Sequence, residues 1–389
     1  MRDERLCANK YMVAVMILWA RSVPVVNGLG RSSKMCPICP TGHLIHMPVA
    51  TIPVLPSSAE LESAAELVHR FVPPTPQYSW PLLNQRAGCE VWMKHENHTP
   101  VGAFKVRGGI VYMDWLRRAH PETKGVISAT RGNHGQSQAF AARQFGLSAV
   151  VVVPFGNSRE KNAAMRALGA ELVEHGDDFH AADHHADELA RERALFRMPS
   201  FDPLLVRGVA SYALEFFRGA PALDSVFVPV GWGSGAVGLA AARNALGLKT
   251  RIIGVVSASA PTYALSFAAG RVVEQKSATR IADGIAISRA HEVSLDILRR
   301  EIERVVQVTD DEIEDAMRAI FTDTHNVAEG AGAAAVAAVL KDRGPWSGKR
   351  VGVVLSGGNV DREVFARVMA NELRSEAKAA NLPASERHG

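Results

Sequence analysis

From Gly125 to the far end of the chain, short apolar runs alternate with amphipathic stretches, and this alternation leaves few folds open. Val126–Ile127, Ala149–Val153, Glu171–Val173, Ser225–Val230, Arg251–Val256 and Val351–Leu355 predict strands. Between them, Gln136–Phe145, Arg159–Leu168, Asp178–Leu195, Ala236–Leu246, Asp310–Asp323 and Ala331–Leu340 predict helices. Upstream, Ser57–Phe71 reads as a helix stopped by Pro73, Pro74 and Pro76, and Glu90–Lys94 as a short strand. Strands that take turns with helices pair in parallel and are covered on both faces. Such sheets bind ligands beyond the C-terminal ends of their strands, so the polar breaks there are where chemistry is expected. No repeat of solenoid length and no low-complexity segment competes with this α/β reading.

Three of those breaks are chemically distinctive. Ser128-Ala129-Thr130-Arg131-Gly132-Asn133-His134-Gly135 offers hydroxyl, amide and successive backbone N–H groups where a helix begins. It reads either as a cradle for a carboxylate or as a tight turn with a Thr or Asn cap. Gly231-Trp232-Gly233-Ser234-Gly235 separates a buried strand from an apolar helix. Its glycines let the backbone approach an anion, and the helix dipole favours a phosphate there. Gly233 to Gly238 also fits G-x-G-x-x-G, but a dinucleotide site wants an acid at the end of the next strand. That strand runs into Val255-Val256-Ser257-Ala258-Ser259, so one phosphate is expected and not a dinucleotide. Ser356-Gly357-Gly358-Asn359 sets a hydroxyl at a strand end, either to meet a ring nitrogen or to cap a helix.

A fourth stretch, Glu96 to Gly109, sets one lysine where a loop turns into a helix. Thr99 and Pro100 read as helix-start signals, and Phe104, Ile110, Val111, Trp115 and Leu116 recur at helical spacing. Lys105 is then expected in the first turn, where the helix dipole and an apolar neighbour lower its pKa. Such a lysine suits Schiff-base chemistry. Taken alone it reads as a surface lysine of an amphipathic helix; the three loops overturn that. A Schiff-base lysine, cradles for one phosphate and one carboxylate, and a lone hydroxyl together describe a pyridoxal phosphate site for an amino acid.

Phe104-Lys105, Gly132-Asn133-His134-Gly135, the 231–235 glycine loop, Ile281-Ala282-Asp283-Gly284 and Ser356-Gly357-Gly358-Asn359 follow one another in that order. With them the chain resembles the fold-type II pyridoxal-phosphate enzymes, specifically the serine/threonine dehydratase (threonine ammonia-lyase) group, from about Val72 to Ala370. The resemblance implies an α/β fold like that of tryptophan synthase β, with two parallel-sheet domains and the cofactor between them. Residues 47–124 and 201–380 would form the large cofactor-binding domain, 125–200 a small substrate-closing domain, and 381–389 a tail. It implies that Lys105 carries the cofactor and moves the α-proton. Phe104 lines the ring and Asn133 bonds its 3-hydroxyl. Gly231, Trp232, Gly233, Ser234 and Gly235 hold the phosphate, and Ser356 faces the pyridine nitrogen. Gly284 and Glu329 lie close by, the role of Glu329 being unassigned. Thr130, Arg131, Gly132, Asn133 and His134 bind the substrate. The implied reaction is elimination of the β-hydroxyl from L-threonine or L-serine, giving a 2-oxo acid and ammonia. A homodimer in the cytoplasm is expected with it.

Departures from the group narrow the reading. Relatives that racemise serine carry a serine base where this chain has Arg131, so racemisation is not expected. Arg131 itself has several open readings: an outward-facing or phosphate-side residue, a reader of a second carboxylate as in 3-hydroxyaspartate, or a guide for a bulky side chain as in 3-phenylserine. His134 stands where β-replacing cysteine synthases have threonine, which disfavours that chemistry. A carrier or an inactive relative is disfavoured by intact Lys105 and Ser356. In metal-activated relatives an acidic pair follows the strand after the glycine loop; Val256 and Thr262 stand there instead.

Composition bounds the remaining classes. A net charge of +4 over 389 residues argues neither for nor against nucleic acid, but there is no basic stripe interleaved with aromatics and no nucleic-acid partner is expected. The apolar run Tyr11–Ala20 is too short to span a membrane. Of four cysteines, three fall before residue 40, which fits a reducing compartment. Cys36 and Cys39, near His43 and His46, have the spacing of half a zinc site or of a redox pair but lack a second pair, so residues 1–46 are expected to be a disordered or wrongly assigned extension before a start at Met47. The cluster His175, His180, His184 and His185 is expected to be a solvated face and not a metal site. The short stretch after the last helix leaves no room for a regulatory domain, which predicts a catabolic or housekeeping enzyme.

Overall fold

The last strand among the described residues lies in the middle of a sheet. The computed structural model describes residues 55–370. Ten strands are β1 (Gln77–Ser79), β2 (Glu90–His95), β3 (Gly125–Ala129), β4 (Ser148–Val153), β5 (Glu171–Glu174), β6 (Phe196–Arg197), β7 (Ser225–Pro229), β8 (Arg251–Ser257), β9 (Arg304–Val308) and β10 (Arg350–Leu355). They form a six-stranded sheet of order β1-β2-β10-β7-β8-β9 and a four-stranded sheet of order β5-β4-β3-β6. Every pairing is parallel except that of β1 with β2. β3 and β7 are buried along their whole length, as parallel strands covered on both faces must be.

Register decides what β10 brings with it. Leu355 pairs with His95 at the end of β2, and Val353 pairs with Phe227 of β7. Ser356, which follows β10, is therefore set between the lysine loop after β2 and the glycine loop after β7. Beneath lies the helix Gly330–Lys341, almost all alanine, glycine and valine, and buried from Gly330 to Val339. Small residues let this helix approach the sheet and the 356–358 turn closely, and that places Glu329, just before it, at the strand ends.

The predicted elements appear with ends shifted by a few residues, and several go unread in the sequence. The most consequential is the helix Pro203–Gly219, which packs against the helix Lys105–Ala119 and supplies Ser211, Tyr212 and Glu215 to its surroundings. Its start is marked by Asp202, whose carboxylate accepts from the Leu204 N–H, and by Pro203. The predicted helix 178–195 is shorter, Phe179–Glu192, and the residues after it form β6. The expectations for residues 1–46 and 381–389 lie outside the described residues. Among the described residues, no helix is long and apolar enough to cross a membrane.

Candidate active site

Lys105 is the first residue of the helix Lys105–Ala119, which no side chain caps. Lys105 thus falls in the first turn, as expected, although the Thr99-Pro100 entry signal lies in the preceding loop and not at the helix start. Thr99 serves its own loop instead: its hydroxyl accepts from the Ala103 N–H at 2.9 Å and donates to the Ala103 carbonyl at 2.8 Å. Tertiary contacts hold the loop that leads into the helix. The Phe104 N–H donates to the Ser356 carbonyl at 3.1 Å, and the Gly358 N–H to the Gly102 carbonyl at 2.9 Å. Below the helix, fully buried Arg107 forks onto Glu96 (Nε to Oε2, 2.7 Å) and Glu215 (Nη1 to Oε1, 2.5 Å). Lys94 donates to the same Glu215 at 2.6 Å. Burial alone would raise the Glu215 carboxyl, but Arg107 and Lys94 hold it below its ordinary value.

The Lys105 Nζ lies 4.7 Å from the centre of the Phe104 ring. Burial pushes its pKa down to about 8, against an upward pull from Glu329. It opens into a cleft lined also by Phe104, Asn133, the 231–235 loop, Gly284, Glu329 and Ser356. Of the residues expected to bind substrate, Asn133 alone lines this cleft; Thr130, Gly132 and His134 adjoin it, and Arg131 is exposed. Arg131 contributes to lowering the pKa of surface Asp178, after the hydrogen bond from the Ala181 N–H.

Several polar groups around the cleft have no protein partner. Among the described residues, nothing accepts a hydrogen bond from Lys105 Nζ, and the hydroxyls of Ser234 and Ser356 are likewise unbonded. The buried His134 Nε2 is orphaned too. Burial first, then the charges of Lys105 and Arg197, lower that ring's pKa to about 3, so it is neutral. Of these only the His134 ring nitrogen is fully buried, but an amine and two hydroxyls left without protein partners along one cleft are groups that a ligand could satisfy.

Two helix N-termini reach the same place. Helices Asn133–Gln144 and Ser234–Ala245 both begin without a side-chain cap, so their first N–H groups are available to anions. Gly233 precedes the second with φ +97°, a conformation that side chains disfavour. A Cβ on Gly231 would stand 2.7 Å from the Gly284 carbonyl oxygen. Thr130 Oγ1 accepts from the Gly132 N–H at 3.1 Å and keeps its own hydrogen to give. The Asn133 amide is held at both ends. Its Oδ1 accepts from Asn359 Nδ2 at 2.8 Å, and its Nδ2 donates to Glu329 Oε1 at 2.5 Å, which leaves one N–H to offer.

Residues 68–357 match the family of pyridoxal-phosphate dependent enzymes. The chain belongs to that family. It is 36% identical to the L-threonine ammonia-lyase of Geobacter sulfurreducens, over 77% of this chain and 75% of that protein. Identity to the L-threonine ammonia-lyase of Thermotoga maritima is 33%, over 74% and 72%. Among solved structures, the processed form of threonine deaminase isoform 2 from Solanum lycopersicum superposes with a TM-score of 0.74 at 29% identity, over 82% of this chain and 95% of that one. The cofactor of a pyridoxal-phosphate dependent enzyme fits the groups found here. An unpartnered amine suits its carbonyl, an uncapped helix start its phosphate, and free hydroxyl and amide groups its ring.

Reading the sequence missed Lys161 and gave no separate role to Asp283 or Asn359, which stand in its motifs; Lys161 pairs with Asp283 and with Glu329, and Asn359 holds Asn133, beside the cleft of this pyridoxal-phosphate enzyme. Lys161 left a trace, since it stands four residues before Met165 on the buried face of the helix Arg159–Ala167, where a lysine is out of place. The histidine cluster forms a surface arrangement, with His184 3.3 Å and His185 3.0 Å from Glu188 and the His175 and His185 rings stacked.

Proposed function

We propose that this enzyme converts L-threonine, L-serine or both to a 2-oxo acid and ammonia. The observation that carries the reading is the pairing of a neutral hydroxyl, Ser356, with an unpartnered, easily deprotonated lysine amine across one cleft. When bound, pyridoxal phosphate supplies an electron-withdrawing ring that lets the substrate's Cα lose its proton. Lys105 is its point of covalent attachment. The backbone of Gly231–Gly235 and the Ser234 hydroxyl hold the phosphate, Ser356 meets the pyridine nitrogen, Asn133 gives its spare N–H to the 3-hydroxyl, and Phe104 borders the ring. A serine, unlike an acid, does not enforce a proton on that nitrogen. Negative charge at Cα is then short-lived, which favours rapid loss of the β-hydroxyl over transamination. Thr130 and the N–H groups from Gly132 to His134 orient the substrate carboxylate. Lys105 Nζ takes the Cα proton. Loss of the β-hydroxyl as water and hydrolysis of the resulting enamine leave the 2-oxo acid and ammonia. The names of the Geobacter and Thermotoga relatives support a hydroxy amino acid as substrate.

The same reading assigns residues 47–124 and 201–380 to a large domain and 125–200 to a small domain that closes on the substrate, and it makes the enzyme a cytoplasmic homodimer. The test is ammonia release by the holoenzyme from threonine, serine, 3-hydroxyaspartate and 3-phenylserine. Threonine or serine is expected to yield equal amounts of 2-oxo acid and ammonia. Turnover of neither would overturn the proposal.

Arg131 faces outward near Asp178, so it offers no guanidinium to a second carboxylate. Arg131→Ala is expected to change kcat/KM for threonine and 3-hydroxyaspartate by the same factor. A selective loss on 3-hydroxyaspartate of about 2 kcal/mol or more, the size of a buried charged contact, would restore the second-carboxylate reading.

A further inference from the structure

Lys161 is a buried cation next to the cleft that the proposed mechanism leaves without a role. It is 6% exposed and sits on the helix Arg159–Ala167, which follows β4 of the four-stranded sheet. Its partners belong to segments flanking the six-stranded sheet: Nζ donates to Asp283 Oδ2 at 2.7 Å and to Glu329 Oε2 at 3.1 Å. Its stem lies over the carboxylate loop. A Cβ on Gly132 would come within 2.5 Å of Lys161 Cδ, so the peptide between Arg131 and Asn133 is the surface on which the lysine packs.

We propose that Lys161 is a positioning residue of the cofactor site: paired with Asp283 and Glu329, it holds the Glu329 carboxylate as the acceptor that fixes the Asn133 amide. This rests on the reading of the cleft given above. Glu329 is 2% exposed, and its two oxygens have separate duties, Oε2 to Lys161 and Oε1 to Asn133. The charged groups that act on it are Lys161, Asp283 and Lys105. Burial raises its pKa, Asp283 adds to that, and Lys161 is the chief opposing influence. Without Lys161 the carboxyl takes a proton more readily. With Lys161 gone no cation stands between Glu329 and Asp283, so an ionised Glu329 is pushed away from Asn133 and a protonated one accepts more weakly than a carboxylate. Asn133 cannot escape by flipping, because its Oδ1 already receives the Asn359 N–H. The amide offered to the cofactor would then lose its anchor.

A plain staple between the two sheets would also be lost with Lys161, so the test must separate charge from tether. Lys161→Met is expected to weaken pyridoxal phosphate binding to the apoprotein by about tenfold or more, the scale of removing one partner of a buried charge pair. Its visible absorption band should also gain a transition on acidification, as a buried carboxyl without its cation takes up a proton, that the parent and Lys161→Arg lack. In Lys161→Met/Glu329→Gln a neutral carbonyl still accepts from Asn133 while the tether stays cut. Affinity should return to within about threefold of the parent, a difference under 1 kcal/mol, and the transition should vanish. Parental affinity and a pH-independent band in Lys161→Met would overturn the proposal, as would a double variant no better than the single one. If Lys161→Met does not fold, the double variant decides alone, with affinity near that of the parent in favour and weaker binding against. Lys105→Ala run alongside keeps the failures distinct: if it retains the covalent band, the reading of the cleft fails and not the role of Lys161.

Discussion

Lys105→Ala is expected to lose the visible absorption of the bound cofactor and more than about 10⁴-fold in turnover, because one amine serves both as attachment point and as the group that moves the proton. The protein should remain folded. Lys105 has no ion pair to lose, and burial lowers its pKa to about 8, so the fold disfavours its charged form. That penalty on folding is complete below pH 8 and fades as pH rises toward the ordinary lysine value of about 10.4. The apoprotein of Lys105→Ala should therefore be at least as stable as the parent at pH 7, with any advantage shrinking toward pH 10. Urea unfolding of both apoproteins at several pH values checks this. Ammonia release by the variant at a rate near that of the parent would refute the assignment.

Arg107→Met should have the largest effect on stability. Its guanidinium has no exposure and joins Glu96, Glu215 and Ser211 in one network. Removing it leaves the Glu96 carboxylate with the Thr75 hydroxyl and Glu215 with Lys94, His69 and the Thr75 N–H. A buried charge stripped of its partner costs about 3–5 kcal/mol, a drop that the midpoint of urea unfolding would register plainly. Arg107→Lys should recover little, since a single ammonium cannot fork to two carboxylates as a guanidinium does. Arg107 lies two residues from Lys105, so the surviving folded fraction should also bind cofactor less tightly. A midpoint within experimental error of the parent would show that the network does not hold the helix.

The chemistry was legible in the sequence where it is carried by short local patterns. Lys105 at a helix start, the glycines before Ser234 and the hydroxyl after β10 each follow from spacing within about ten residues, because helix starts and close backbone approaches need particular residues nearby. The alternation of strands and helices likewise determined parallel sheets with ligand-binding ends. Juxtaposition was decided by the tertiary structure. β10 inserts between β2 and β7, and so Ser356 reaches the Phe104 backbone across some 250 residues of chain. The lysine helix starts at Lys105 without a side-chain cap, and backbone pairing with the 356–358 turn holds the loop that leads into it. Nothing local shows that Arg107 is buried, and the misplaced Lys161 names no partner, until Glu96 and Glu215, or Asp283 and Glu329, are brought against them. A buried charge is stable only with its partner, and no local pattern records a partner that lies far away in sequence.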